Sequence, residues 1–333
     1  MRAWWVGEPG PITSRPLEWG ERPDPVPGPG EILVRVHVCG VCRTDLHLAE
    51  GDLKPRHPNV VPGHEAVGTV VEVGDGCTRF STGDRVGVAW LGKTCGSCRY
   101  CLRGEENLCI TPTFTGWDRD GGYADRVAVA EEFAYAVPAA FSDEQAAPLL
   151  CSGIIGYHAL QRAALPEGGR LGIYGFGGSA HLTAQIARYQ GASVYVMTRS
   201  EAARALAREL GAVFVGGPYD TPPDELDSAI LFAPVGDLVP AALQALDRGG
   251  TLAVAGIHLS DIPTLNYQRD LFNERRLLSV TANTRKDGEE FLALAARIPL
   301  EPTTTIYPMD AAAQALEDLK GDRLTGSAVL DMS

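Results

Sequence analysis

The chain has 333 residues, 42 acidic and 29 basic, for a formal charge of −13 at pH 7. That length accommodates two domains at about 100–200 residues each, and the acidic balance disfavours nucleic acid or an anionic membrane surface as a main partner. A composition of 45% hydrophobic and 21% charged residues is that of a globular protein, not a disordered one.

No apolar run approaches the ~18–20 residues that a membrane span needs. The opening segment, MRAWWVGEPGPITSRP, has no apolar stretch of the kind a secretory signal carries. A cytoplasmic location is therefore expected, and disulfides are rare there. The eight cysteines then call for metal binding or chemistry.

Residues 1–148 carry short β-like runs: EILVRVHV (31–38), AVGTVVEV (66–73) and RVGVAWL (85–91). Breakers such as PVPGPG (25–30), PGH (62–64) and STGD (81–84) separate them. This texture predicts a mostly β domain. Residues 149–287 alternate strand and helix. RLGIYGFG (170–177) reads as a buried strand. HLTAQIARYQG (181–191) reads as a helix with Leu182, Ile186 and Tyr189 on one side and Gly191 closing it. SVYVMT (193–198), EAARALARELG (201–211), DSAILFA (227–233), VPAALQALDRGG (239–250) and TLAVAGI (251–257) continue the alternation. It predicts a parallel sheet with helices on both faces. Two helices (288–298 and 309–322) and a strand (326–332) follow. Residues 288–333 are assigned with 1–148 to one domain, and 149–287 to the other.

The segment TCGSCRYCLRGEENLC places Cys95, Cys98, Cys101 and Cys109 at C-x2-C-x2-C-x7-C spacing. Four thiolates at a Zn–S distance of ~2.3 Å satisfy the closed tetrahedral shell of a structural zinc site. The protruding lobe is expected to span 92–112. The first three cysteines also resemble an iron–sulfur run, but Ile110 stands where such runs have Pro. A second set comprises Cys42, His64 and Cys151. Two cysteines and a histidine make a three-ligand shell with an open fourth position, where zinc acts as a Lewis acid on an alcohol or carbonyl oxygen.

In order, the motifs are CGVCRTDLH, GHEAVGTVVEVG, GDRVGV, the four-cysteine lobe, GGYADRVAV (121–129), the Cys151 segment and a glycine-rich turn. Over essentially the whole length they resemble the zinc-dependent alcohol dehydrogenases of the medium-chain dehydrogenase/reductase superfamily. The resemblance implies an α/β protein with a GroES-like, mostly β catalytic domain and a Rossmann doubly wound cofactor domain. It implies that Cys42, His64 and Cys151 hold the catalytic zinc, and that Glu65 approaches the ion when water or product exchanges. Asp45 would orient the ligating histidine, as carboxylates behind metal ligands commonly do. Thr44 would touch the substrate oxygen, and His47 would be the base at the solvent end of a proton relay. Cys39 and Cys77 are expected to be packing residues, and His37, His57, His158 and His258 to be structural or surface ones. A homodimer or homotetramer is implied by the resemblance alone.

Between a strand and a helix, the turn places Gly175, Gly177 and Gly178 in a G-x-G-x-x-A pattern ending at Ala180. Such a turn brings backbone N–H groups and the helix dipole to a dinucleotide pyrophosphate, so Ser179 is expected there too. Arg43 offers a bidentate fork for phosphate. An NAD site usually carries Asp or Glu about 20 residues on. Here that place holds Thr198 and Arg199. With no carboxylate to repel a 2′-phosphate, NADP(H) is favoured over NAD(H), although Glu201 is near enough to bind a ribose.

Trp90, Leu91 and Trp117 are candidates for an apolar slot suited to primary alcohols and aldehydes. Relatives often carry Arg before the last strand. Here Gly326-Ser327-Ala328 stands instead, with Arg323 as a possible replacement. Polyol dehydrogenases often use Glu as third ligand, against which Cys151 speaks. Both metal sites argue against the zinc-free reductases, and Thr44, Asp45 and His47 argue against a non-enzymatic redox sensor.

Overall fold

A computed structural model describes residues 1–332. The chain forms two units: one comprises Met1–Cys151, Ala282–Arg297 and Pro302 onward, the other Ser152–Thr281 and Ile298–Glu301. The changes of unit thus fall at Cys151/Ser152 and Thr281/Ala282, against the expected 148/149 and 287/288. Cys151 consequently belongs to the same unit as Cys42 and His64.

In the first unit, β1 (Arg2–Val6) pairs with β2 (Leu17–Glu21), and the long β3 (Glu31–Val41) runs into helix α1 (Arg43–Glu50). Then come β4 (Ala66–Val73), β5 (Arg85–Val88), β6 (Leu91–Lys93), β7 (Thr113–Phe114), β8 (Arg126–Ala130), β9 (Ala134–Ala136) and the short α2 (Asp143–Ala146). β3 is rich in Val, Ile and Leu because its core face is covered; Ile32, Val34 and Val36 are buried there, while Arg35 on the opposite face is exposed.

The second unit begins with α3 (Ser152–Ala163), followed by β10 (Arg170–Tyr174), α4 (Gly178–Tyr189), β11 (Ser193–Met197), α5 (Glu201–Glu209), β12 (Phe214–Gly216), β13 (Leu226–Leu231), α6 (Leu238–Ala245), β14 (Leu246–Val254) and β15 (Arg276–Ser279). All six strands are parallel, in the order β12-β11-β10-β13-β14-β15. The order reverses between β10 and β13, which is where doubly wound sheets bind dinucleotides.

The tail returns to the first unit with α7 (Arg285–Ala295), β16 (Thr304–Pro308), α8 (Ala312–Lys320) and β17 (Ser327–Asp331). Its strands complete a seven-stranded sheet: six run in the order β16-β17-β3-β4-β5-β9, and β8 pairs with β3 off this path. The GroES-like and Rossmann expectations are met.

Among the elements that differ from the sequence reading are three helices. The helix expected over 239–250 stops at Ala245, and Leu246–Val254 is strand. Leu246 is fully buried opposite Leu226, and Gly249 and Gly250 are weak helix formers, so sheet pairing wins. The helix expected at 288 starts at Arg285, because Thr284 and Asp287 form a capping box. That expected over 309–322 opens as a 3-10 turn at Met309–Ala311 and ends at Lys320.

Candidate functional site

Cys42 caps α1, and its N–H donates to Asp45 Oδ2 at 2.9 Å. Asp45 also accepts from Gly63 N–H (3.0 Å) and from the Tyr123 hydroxyl (3.3 Å). Its Oδ1 lies 3.3 Å from His64 Nδ1, with both side chains 1% exposed. A buried carboxylate needs such partners. Burial alone would pull the His64 pKa down, but Asp45 outweighs it and holds it well above the usual value. Neither ring nitrogen of His64 makes a hydrogen bond, and Nε2 in particular is a buried polar atom without a partner. Such an atom costs free energy unless something binds it.

That something fits a metal ion. Cys42 Sγ lies 3.9 Å from Cys151 Sγ, and donor atoms of Cys42, His64, Glu65 and Cys151 all lie within 4.8 Å of one another. The thiol–thiol hydrogen bond holds Cys42 well below the usual thiol range, and the same bond, with burial, pushes Cys151 well above it. A divalent cation would bind both sulfurs and take the unpartnered His64 nitrogen. Cys39 and Cys77 stay outside this set. Their thiols donate to Gly40 O at 3.5 Å and Glu31 O at 3.3 Å. His37 is engaged elsewhere, 2.7 Å from Asp143 and 3.1 Å from Thr69.

Glu65 is 1% exposed, and burial raises its carboxyl well above the usual range. A Cβ on Gly40 would overlap the Glu65 carboxylate, so only glycine fits opposite it. Gly40→Ala is expected to cost about 1–3 kcal/mol through overpacking, seen as a lower thermal midpoint that Gly40→Ala/Glu65→Ala recovers only in part, because a Cβ at 40 would still lie 2.8 Å from the Cβ at 65. An unchanged midpoint in the single variant refutes this contact.

Around the cluster, Thr44 Oγ1 is buried 3.6 Å from Cys42 Sγ. His47 Nδ1 lies 2.9 Å from Asp52. Trp90 meets His64 edge-on, with centroids 4.9 Å apart, and stacks on Phe114 at 4.8 Å and on Trp117 at 5.9 Å. Arg56 lies 4.3 Å over the Trp117 ring. Leu91, by contrast, is 1% exposed and belongs to the interior. Arg43 pairs with Asp322 at 2.7 Å, and Arg323 with Asp318 at 2.7 Å.

The lobe cysteines form a second cluster within 4.8 Å. Sγ separations of 3.5 Å (Cys98–Cys101), 3.6 Å (Cys95–Cys109) and 3.9 Å (Cys95–Cys101) bracket the edge of about 3.8 Å of a ZnS4 tetrahedron with ~2.3 Å bonds. Backbone N–H groups aim at the sulfurs, from Cys98 to Cys95, from Cys95 to Cys109 and from Thr111 to Cys109, at 3.3–3.4 Å. Such donors, chiefly the Ser97 N–H, bring Cys95 down to about 6. Burial and its thiol neighbours push Cys101 up to about 11.

In the second unit, Gly175 has φ +86°, and a Cβ there would lie 2.8 Å from Ala233 N. Gly177 caps α4, which begins at Gly178 and Ser179. At the end of β11, Thr198 is buried, and its carbonyl accepts from Arg204 Nε at 2.9 Å. Arg199 is exposed. Glu201 lies 3.3 Å from Arg204 and 3.1 Å from Arg208, so its charge is already countered.

Sequence reasoning missed Tyr123, Phe114 and Arg204. Tyr123 stood inside GGYADRVAV, and only that motif hinted at it. The other two carried no local signal.

Comparison with known proteins identifies the family. Residues 28–139 match the alcohol dehydrogenase GroES-like domain, and residues 178–297 match the zinc-binding dehydrogenase family. A probable alcohol dehydrogenase of Mycobacterium tuberculosis is 57% identical, covering 99% of this chain and 97% of its own. CAD from Helicobacter pylori, complexed with NADP(H), superposes at TM-score 0.88 with 25% identity, over 100% of this chain and 99% of its own. Acetophenone reductase from Geotrichum candidum, in complex with NAD, superposes at TM-score 0.89 with 27% identity, over 99% and 97%. A GroES-like unit followed by a parallel-sheet unit, with clustered thiols and histidine, defines a zinc-binding oxidoreductase. The chain belongs to the zinc-binding dehydrogenase family and is an alcohol dehydrogenase.

Proposed function

We propose that the chain interconverts primary alcohols and aldehydes with NADP(H), holding one zinc at Cys42, His64 and Cys151 and another in the four-cysteine lobe. The observation that carries the reading is the buried, unpartnered His64 Nε2 beside two thiols and the Thr44 hydroxyl. When bound, zinc polarises the substrate oxygen and the nicotinamide exchanges a hydride with the substrate carbon. Thr44 Oγ1 accepts the substrate hydroxyl proton as it passes its own proton onward. His47, paired with Asp52, releases a proton to water at the solvent end. Asp45 keeps the His64 ring oriented through Nδ1. Trp90 and Trp117 exclude water with flat apolar faces, which favours an unbranched CH2OH or CHO group.

Thr198 and Arg199 support the cofactor preference, together with Arg204 at the same strand end. No carboxylate stands at positions 198–200, and Glu201 is countered by two arginines. The expected kcat/KM ratio of NADPH over NADH exceeds about 10, or ~1.4 kcal/mol of discrimination. A ratio below one overturns the preference.

A further inference from the structure

The lobe has no apolar interior. Leu102, Leu108 and Ile110 are exposed, and its backbone turns around the four sulfurs alone. One lobe side chain nevertheless makes a strong outward contact. Glu106, in the 3-10 turn between Cys101 and Cys109, binds Arg285 at the first residue of α7. The Arg285 backbone N–H donates to Glu106 Oε2 at 3.1 Å, and Nε donates to Oε1 at 2.9 Å. Nη2 donates to Oε1 as well.

The guanidinium lies 4.6 Å over the ring of buried Phe133 and 3.7 Å from Glu132. Planar bidentate pairing of this kind fixes direction as well as distance. Just before Arg285, Asn283 and Thr284 are 3% and 9% exposed, and Thr284 caps the helix. The chain returns to the first unit at Ala282, so the pair pins its return.

We propose that Arg285 is a positioning residue that, through Glu106, makes the conformation of residues 282–290 depend on metal in the lobe. This rests on the reading of the lobe as a zinc site. With no core of its own, the lobe holds Glu106 in place only while the sulfurs are ligated. Loss of the ion lets Glu106 move, and Arg285 loses its fork. The freed segment moves without disturbing the Cys42–His64–Cys151 cluster, whose residues lie on other elements.

The test is hydrogen exchange on the full-length protein, with zinc counted at every step. Chelating the lobe ion is expected to speed amide exchange at 282–290 about tenfold. Glu106→Gln with the lobe ion retained does the same, and chelation then adds nothing there. Arg285→Lys, which keeps the charge but not the fork, gives a smaller rise. In each case the zinc held by Cys42, His64 and Cys151 stays bound. Unchanged exchange at 282–290, either in chelated wild type whose lobe amides open or in Glu106→Gln, overturns the coupling. A wild-type lobe without zinc overturns the metal reading instead, and the Glu106→Gln comparison still decides the Glu106–Arg285 contact.

Discussion

Cys42→Ser is expected to abolish alcohol oxidation and to reduce bound zinc from two ions to one. A serine hydroxyl does not ionise near neutral pH, so it does not replace the thiolate as a metal ligand. The remaining donors are His64, Cys151 and the buried Glu65, whose carboxyl favours its neutral form. His64 Nε2 is left buried and without a partner. The Lewis acid supplies several kcal/mol of charge stabilisation, so kcat/KM falls at least about 10³-fold. Metal analysis beside steady-state turnover checks this. Near-normal turnover, or two retained ions, refutes the assignment of Cys42 as a ligand.

Cys109→Ser acts on the other ion. Cys109 is a buried lobe thiol, and its sulfur accepts N–H groups from Cys95 and Thr111. Removing it opens a shell whose closure replaces a hydrophobic core. Structural zinc in small domains contributes an apparent ~10–16 kcal/mol at pH 7, which is folding free energy. The lobe over 92–112 is therefore expected to unfold locally, with new protease cleavage between Cys95 and Cys109. The catalytic ion stays bound, because Cys42, His64 and Cys151 are held by other elements. A lobe that stays protease-resistant in this variant counts against the structural zinc.

Much of the site was legible because its signals are local in sequence. The lobe cysteines sit within one loop, and Gly175 stands at a strand-to-helix turn that requires positive φ. Cys42, Thr44, Asp45 and His47 lie along the start of one helix. Contacts between distant residues were not legible. Tyr123 reaches Asp45 across 78 positions, and Arg285 reaches Glu106 across 179. Neither partner carries a local mark, since a tyrosine or an arginine reads the same whether it is paired or solvated. The helix expected over 239–250 failed for a related reason: burial of Leu246 against Leu226 decided the strand, and a periodicity window of about 11–18 residues does not contain both.

The sequence by itself determined that four of the eight cysteines form one closely spaced lobe, while the assignment of Cys42 and Cys151 as ligands and of Cys39 and Cys77 as packing residues came from the family resemblance. Within the lobe, cysteine spacing sets which thiols can share an ion, and that is a property of a few consecutive bonds. Only the tertiary structure decided that Cys151 and His64 meet Cys42, that Asp45 is fully satisfied behind them, and that Arg43 faces Asp322. Those facts depend on which strands pair across long connections. Chain entropy opposes such closures, and buried apolar area, not local preference, favours them.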